Sequence, residues 1–152
     1  MRRTGVWAAV LLLGATLGLA ACASMGGGGT SQPSLYKRLG GREGIKVVVD
    51  EFVALLVKDP RVSARFKDMK PPDVERLKTN AADQVCEATG GPCSYLGKDM
   101  VTAHKGMKIT EAEWDATVQD LIQAMVNKGV PEKERNELIG LLAPMKKDIV
   151  NQ

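Results

Sequence analysis

The sequence predicts an all-α domain, on three observations. Apolar residues recur at spacings of three and four over several stretches. Each stretch is bounded by capping residues, glycines or prolines, the usual punctuation of helices. No run alternates apolar and polar residues between turn pairs, so nothing in the domain reads as strand.

The first part of the 152-residue chain reads as targeting sequence and not as fold. Arg2 and Arg3 form a positive leader, and Val6 to Ala21 follows without one charged residue. That run is short for a membrane span, which needs ~20 apolar residues, and it suits the apolar core of a secretory signal. It ends Leu19-Ala20-Ala21-Cys22, which resembles the lipobox of bacterial lipoproteins. The resemblance implies that Cys22 is lipidated and opens the mature chain. The alternatives are an ordinary signal with small residues before its cut, or an uncleaved anchor. Ala23, not an acidic residue, follows Cys22, which resembles outer-membrane sorting. Ser24 to Gln32 contains four consecutive glycines, Gly26 to Gly29, and reads as a flexible tether. The expected division is a signal over 1–21, a lipidated tether over 22–33 and one folded domain over 34–152.

Within the domain, Ser34 can cap a short helix over Leu35 to Leu39, stopped by Gly40-Gly41. From Arg42 a stripe of Ile45, Val48, Val49, Phe52, Leu55 and Leu56 predicts a longer helix, ended by Asp59-Pro60. Arg61 to Phe66 has room for one helical turn. Pro71-Pro72 excludes Met69 to Pro72 from a helix interior, and Asp73 is the expected N-cap of the next helix. That helix carries Val74, Leu77, Ala81, Val85 and Ala88, and Gly90-Gly91-Pro92 stops it. A loop over Pro92 to Lys98 leads to a short helix over Asp99 to Lys105, ending at Gly106. Thr110-Glu111-Ala112-Glu113 has the form of a capping box. It opens a helix with Trp114, Val118, Leu121, Ile122 and Met125 on one face. Gly129 ends that helix and Pro131 is the expected first residue of the last one. The last helix carries Leu138, Leu141, Leu142, Met145 and Ile149, with Pro144 expected to bend it.

Charge gives no nucleic-acid footprint. Without Arg2 and Arg3 the 21 Lys and Arg fall to 19 against 18 Asp and Glu, a formal charge of +1. Of the three cysteines, Cys22 is the expected anchor. Cys86 and Cys93 remain as a pair in an oxidising compartment, where a disulfide is expected. Two free, half-buried thiols are the alternative.

The chain has one histidine, His104, on the short helix. On its own it reads first as a surface or half-buried histidine without a task. A structural zinc wants four protein ligands, and Cys86 and Cys93 do not supply a knuckle. Haem iron needs only one protein nitrogen.

The domain resembles the group 1 truncated haemoglobins from about Leu35 to Ile149. Leu35 to Gly41, read LYKRLGG, resembles the family's opening, and Val48-Val49-Asp50-Glu51-Phe52 its second helix. Ala88-Thr89-Gly90-Gly91-Pro92 with Tyr95 and Gly97 resembles the link before the haem-binding helix. Met100 to Gly106 then carries the matched proximal histidine, His104. Gly129-Val130-Pro131 and Leu142-Ala143-Pro144-Met145 resemble the last helix and its start. The resemblance implies a two-over-two helical sandwich and a haem bound through His104. It also implies pocket walls from Met100, Phe52, Val53, Phe66, Leu77, Ala81, Ile109, Val118 and Leu121. The second ring nitrogen of His104 is expected to donate to a backbone carbonyl. Lys98 and Lys105 are candidates for the haem propionates and equally for solvated surface positions.

The chain departs from the family on the side where a ligand would bind. Many members carry a tyrosine directly after the second-helix phenylalanine, whose hydroxyl bonds the ligand; here Val53 follows Phe52. A glutamine one turn beyond the matched leucine commonly assists; here Ala81 stands four residues after Leu77. This side therefore reads as apolar, lined by Val53, Leu77, Ala81 and Val85. Gln84 is the nearest polar residue, about 60° or more off the Ala81 direction. The expected function is reversible binding of oxygen or other diatomic gases, nitric oxide and carbon monoxide, at a membrane surface outside the cytoplasm. One alternative is a nitric oxide dioxygenase or peroxidase-like enzyme, which needs an unidentified reductase. Another is a haem-free helical lipoprotein that binds a partner protein.

Overall fold

The computed structural model describes residues 32–152. The expected signal, Cys22 and most of the tether lie outside the described residues. Six α-helices follow in order, α1 (Leu35–Arg38), α2 (Gly41–Leu56), α3 (Pro71–Ala88), α4 (Met100–His104), α5 (Glu111–Asn127) and α6 (Glu132–Leu142). A 3₁₀ turn over Ser63–Arg65 separates α2 from α3, and a second, Ala143–Asp148, continues α6. α2 packs on both α3 and α5, α6 packs on α5 and α1, and α4 rests on the second 3₁₀ turn. Two helix pairs, α2 with α3 and α5 with α6, thus form the two layers of an all-α sandwich.

The apolar stripe of α2 is buried at Ile45, Val48, Val49, Val53 and Leu56. Phe52 and Leu55, on the flanks of that stripe, are only half-buried. The central core joins these residues to Leu121, Ala124 and Met125 of α5 and Leu138 of α6. Met125 and Leu138 are 0% and 1% exposed, and burying such a side chain contributes ~1.5–3 kcal/mol. Close approach at the start of α2 requires Gly44, where a Cβ would fall 1.9 Å from the Leu39 carbonyl oxygen. Across the α1–α6 contact, Arg38 Nη1 donates to Glu134 Oε1 at 2.7 Å, and Nη2 pairs with Glu137.

Several boundaries differ from expectation. α3 begins at Pro71 with Lys70 as N-cap, and Asp73 sits at the third position of the helix instead of capping it. The Asp73 carboxylate accepts from the Lys70 backbone N–H at 3.3 Å. Both prolines fit the first turn because their φ is helical and the missing N–H has no partner there anyway. Pro131 is the N-cap, with ψ 154°, and not the first helical residue. Pro144 does not bend a continuous α-helix; α6 ends at Leu142 and the chain tightens into the 3₁₀ turn. The described residues contain one isolated parallel bridge, Ile109 with Val150, which no period-two pattern announces.

Candidate functional site

The site is built around α4, whose last residue is His104. Asp99 caps its start, accepting from the Thr102 N–H at 2.9 Å. Just before it, the Tyr95 hydroxyl donates to the Lys98 carbonyl at 2.7 Å. The His104 ring is half-buried, and its Nδ1 lies 2.8 Å from the Met100 carbonyl oxygen one turn earlier. A carbonyl can only accept, so the proton sits on Nδ1 and the Nε2 lone pair is left free. A nitrogen of this kind, oriented by its partner, is suited to bind a metal.

The apolar residues expected to wall the pocket fall into two groups. Val53, Ile109 and Leu121 are buried in the protein, at 2%, 9% and 8% exposure. Phe52, Phe66, Leu77, Ala81, Met100 and Val118 are only half-buried. Leu77 and Ala81 lie against the central core, while Phe66 and Phe52 lie against a smaller cluster of Leu56, Val62 and Ala116. Val53 is wholly engaged in core packing and presents only methyl groups. Lys98 and Lys105 are exposed.

Gln84 reaches further into the site than its sequence direction suggests. Its amide Nε2 donates to Met100 Sδ at 3.5 Å and to Met145 Sδ at 3.4 Å, connecting α3 to α4 and to the second 3₁₀ turn. Thioether sulfur is a weak acceptor, so this amide is poorly satisfied. What the geometry itself supplies is one oriented imidazole nitrogen, the chemistry needed for a single protein bond to a metal ion held in a macrocycle.

Other residues of the site were not foreseen. Arg65, at the end of the first 3₁₀ turn, pairs with Glu113 through Nε (2.7 Å) and Nη2 (2.9 Å) and donates from Nη1 to the Met107 carbonyl (2.7 Å). The Arg65 guanidinium and the Thr110 backbone N–H hold the Glu113 carboxyl down at about 2. The capping box of Thr110 and Glu113 was readable from spacing, and the structure contains it. Its arginine partner, 48 residues away, has no local signal. Cys86 and Cys93 are joined as a disulfide with Cα atoms 5.8 Å apart, tying the end of α3 to the loop that leads to α4.

Residues 34–151 match the family model described as bacterial-like globin. A group 1 truncated haemoglobin of Mycolicibacterium paratuberculosis is 32% identical over 116 residues, 76% of this chain and 83% of that protein. The chain belongs to the group 1 truncated haemoglobins. Another member, from Chlamydomonas moewusii, is 35% identical over 78% of this chain and 68% of its own length. The crystal structure of the Tetrahymena pyriformis truncated haemoglobin in its Fe(III) form superposes with a TM-score of 0.74 at 29% identity, covering 79% of this chain and all of that one. The two-over-two sandwich of this truncated haemoglobin is therefore the family fold, and haem is the family's cofactor.

Proposed function

We propose that this truncated haemoglobin holds haem through His104 Nε2 and reversibly binds oxygen or another diatomic gas, nitric oxide or carbon monoxide. The observation that carries the reading is the 2.8 Å contact of His104 Nδ1 with the Met100 carbonyl, which frees Nε2 and orients it. Haem supplies an iron with one coordination position for the protein and one for a gas. Met100, one turn before His104 on α4, would lie on the histidine side of a bound haem. Phe52, Phe66, Leu77, Ala81, Ile109, Val118 and Leu121 form its apolar surroundings and keep water away. Val53 and Ala81 supply no donor to a bound gas, which favours simple binding over an enzyme that must polarise it. The proposed setting is outside the cytoplasm, on a membrane reached through a lipid on Cys22.

Absorption spectra test the reading. The wild-type chain mixed with haem is expected to show ferric, ferrous and ferrous carbonyl bands of a histidine-bound haem. His104→Ala is expected to lose stable binding or to recover the spectrum with added imidazole. An unchanged ferrous carbonyl spectrum in that variant would falsify the assignment.

A further inference from the structure

The five residues of α4 are too few to hold a helix by themselves, since isolated helices shorter than ~12–15 residues are marginal. Its start is capped by Asp99. Beyond its end, the His104 backbone carbonyl accepts from the Met107 N–H at 2.9 Å across a turn whose Gly106 has φ 80°. The chain then meets its own last residues. The Lys108 N–H donates to the Gln152 carbonyl at 2.8 Å, and the Asn151 N–H donates to the Ile109 carbonyl at 2.9 Å. From the other side Arg65 grips the Met107 carbonyl at 2.7 Å, itself held by both Glu113 oxygens. Lys108 and Asn151, with φ 49° and 61°, are the only residues other than glycine with positive φ among the described residues. Both sit at this one junction. Such conformations cost free energy for residues with a side chain and persist where their surroundings enforce them, often at functional sites.

We propose that Arg65 and the segment Val150–Gln152 are positioning residues for His104, a clamp three to five residues beyond it that sets how the imidazole is presented to iron. The clamp rests on the reading that His104 binds haem iron, and extends it to groups that touch neither iron nor gas. Hydrogen bonds to Met107, Lys108 and Ile109 fix the exit of α4 at three consecutive residues. The exit in turn fixes the last turn of α4, in which Met100 O and His104 Nδ1 meet.

Two variants of the full chain test it: one ending at Ile149, and Arg65→Met, which keeps the aliphatic stem and removes the guanidinium. The first measurement uses protein without haem, and follows exchange of the His104 Nδ1 proton by nitrogen-15 NMR. The clamp predicts exchange faster than in wild type by roughly fivefold per hydrogen bond removed. The amides of α2 and α5 should keep their protection. The second measurement follows the ferrous iron–imidazole stretching band and the rate of haem transfer to an acceptor globin. The band should shift and transfer should quicken in both variants. Faster transfer with an unmoved band would reduce the segment to general stability and overturn the proposal, as would unchanged Nδ1 exchange. If the shortened chain does not fold, Arg65→Met alone decides. Wild-type protein that takes up no haem would sink the functional reading instead, and the exchange measurement would still judge the clamp.

Discussion

At the scale of single residues, Asp120 stands out because Oδ2 has no hydrogen-bond partner among the described residues while its side chain is only 11% exposed. Burial pushes its carboxyl above the ordinary range, and neighbouring Asp59 adds to the effect. Arg61 opposes it from 3.9 Å, but that guanidinium is engaged with Asp59 at 2.6 Å. A proton therefore binds folded Asp120 more tightly than unfolded Asp120. Ionised Asp120 costs stability at neutral pH, and the cost is relieved as pH falls through the raised value. Asp120→Asn is expected to stabilise the protein near pH 7 by about 1 kcal/mol, an advantage that fades towards about pH 4. Denaturant melts of both proteins at the two pH values check this. A variant less stable than wild type near pH 7 would mean that the charge is required where it stands.

At the scale of elements, the connection between α3 and α4 decides how the histidine helix is delivered. Cys86 lies in the last turn of α3 and Cys93 in the loop, and the bond between them closes the turn at Gly90-Gly91. Gly91 is required there, since a Cβ would fall 2.5 Å from both Cys86 Sγ and Tyr36 Cδ2. The Tyr36 N–H also donates to the Thr89 carbonyl at 2.9 Å, so α1 braces the same corner. A disulfide stabilises mainly by restricting the unfolded chain, and this loop, with a sequence separation of 7, is short. Replacing both cysteines by serine is expected to cost about 2 kcal/mol. Urea midpoints with and without reductant measure it: reductant should lower the midpoint of the wild type and leave the serine protein unchanged. Equal midpoints throughout would mean that the link carries no stability.

At the scale of the whole molecule, the domain is a short-helix sandwich that carries one histidine on a short helix tied to Gln84 through Met100. Beyond the domain, the proposed setting rests on a lipid at Cys22 and not on charge, since without Arg2 and Arg3 the formal charge is only +1. Acyl chains contribute ~0.8 kcal/mol per buried CH₂, and more than one chain gives lasting anchorage. Cys22→Ala is therefore expected to move the chain out of the membrane fraction, into soluble or signal-retained material. Mass spectrometry of the wild type should find acyl groups on Cys22 as the first mature residue. An unmodified mature N-terminus at another position would rule the anchor out.

The number, order and approximate extent of the helices were legible because they rest on local chemistry. Ser34 and Thr110 cap where their side chains predict, and the stripe of α2 buries Ile45, Val48, Val49 and Leu56 together. The place of the sole histidine, His104, on a short helix was legible from the punctuation around it. A backbone carbonyl partner for its ring was expected, and the structure shows it to be that of Met100, one turn away. Helix starts at prolines were misplaced at Asp73 and Pro131, where spacing alone does not tell an N-cap from an inner position. Contacts between residues distant in the chain left no trace in the sequence. Arg65 meets Glu113 and Met107, Gln84 meets Met145, and Ile109 pairs with Val150, only because packing of α2 on α5 and of α4 on the second 3₁₀ turn brings them together. Local propensity and periodicity determine which segments are helical and which faces are apolar. The partner of a long polar side chain depends on where those faces come to rest, which only the tertiary structure decides.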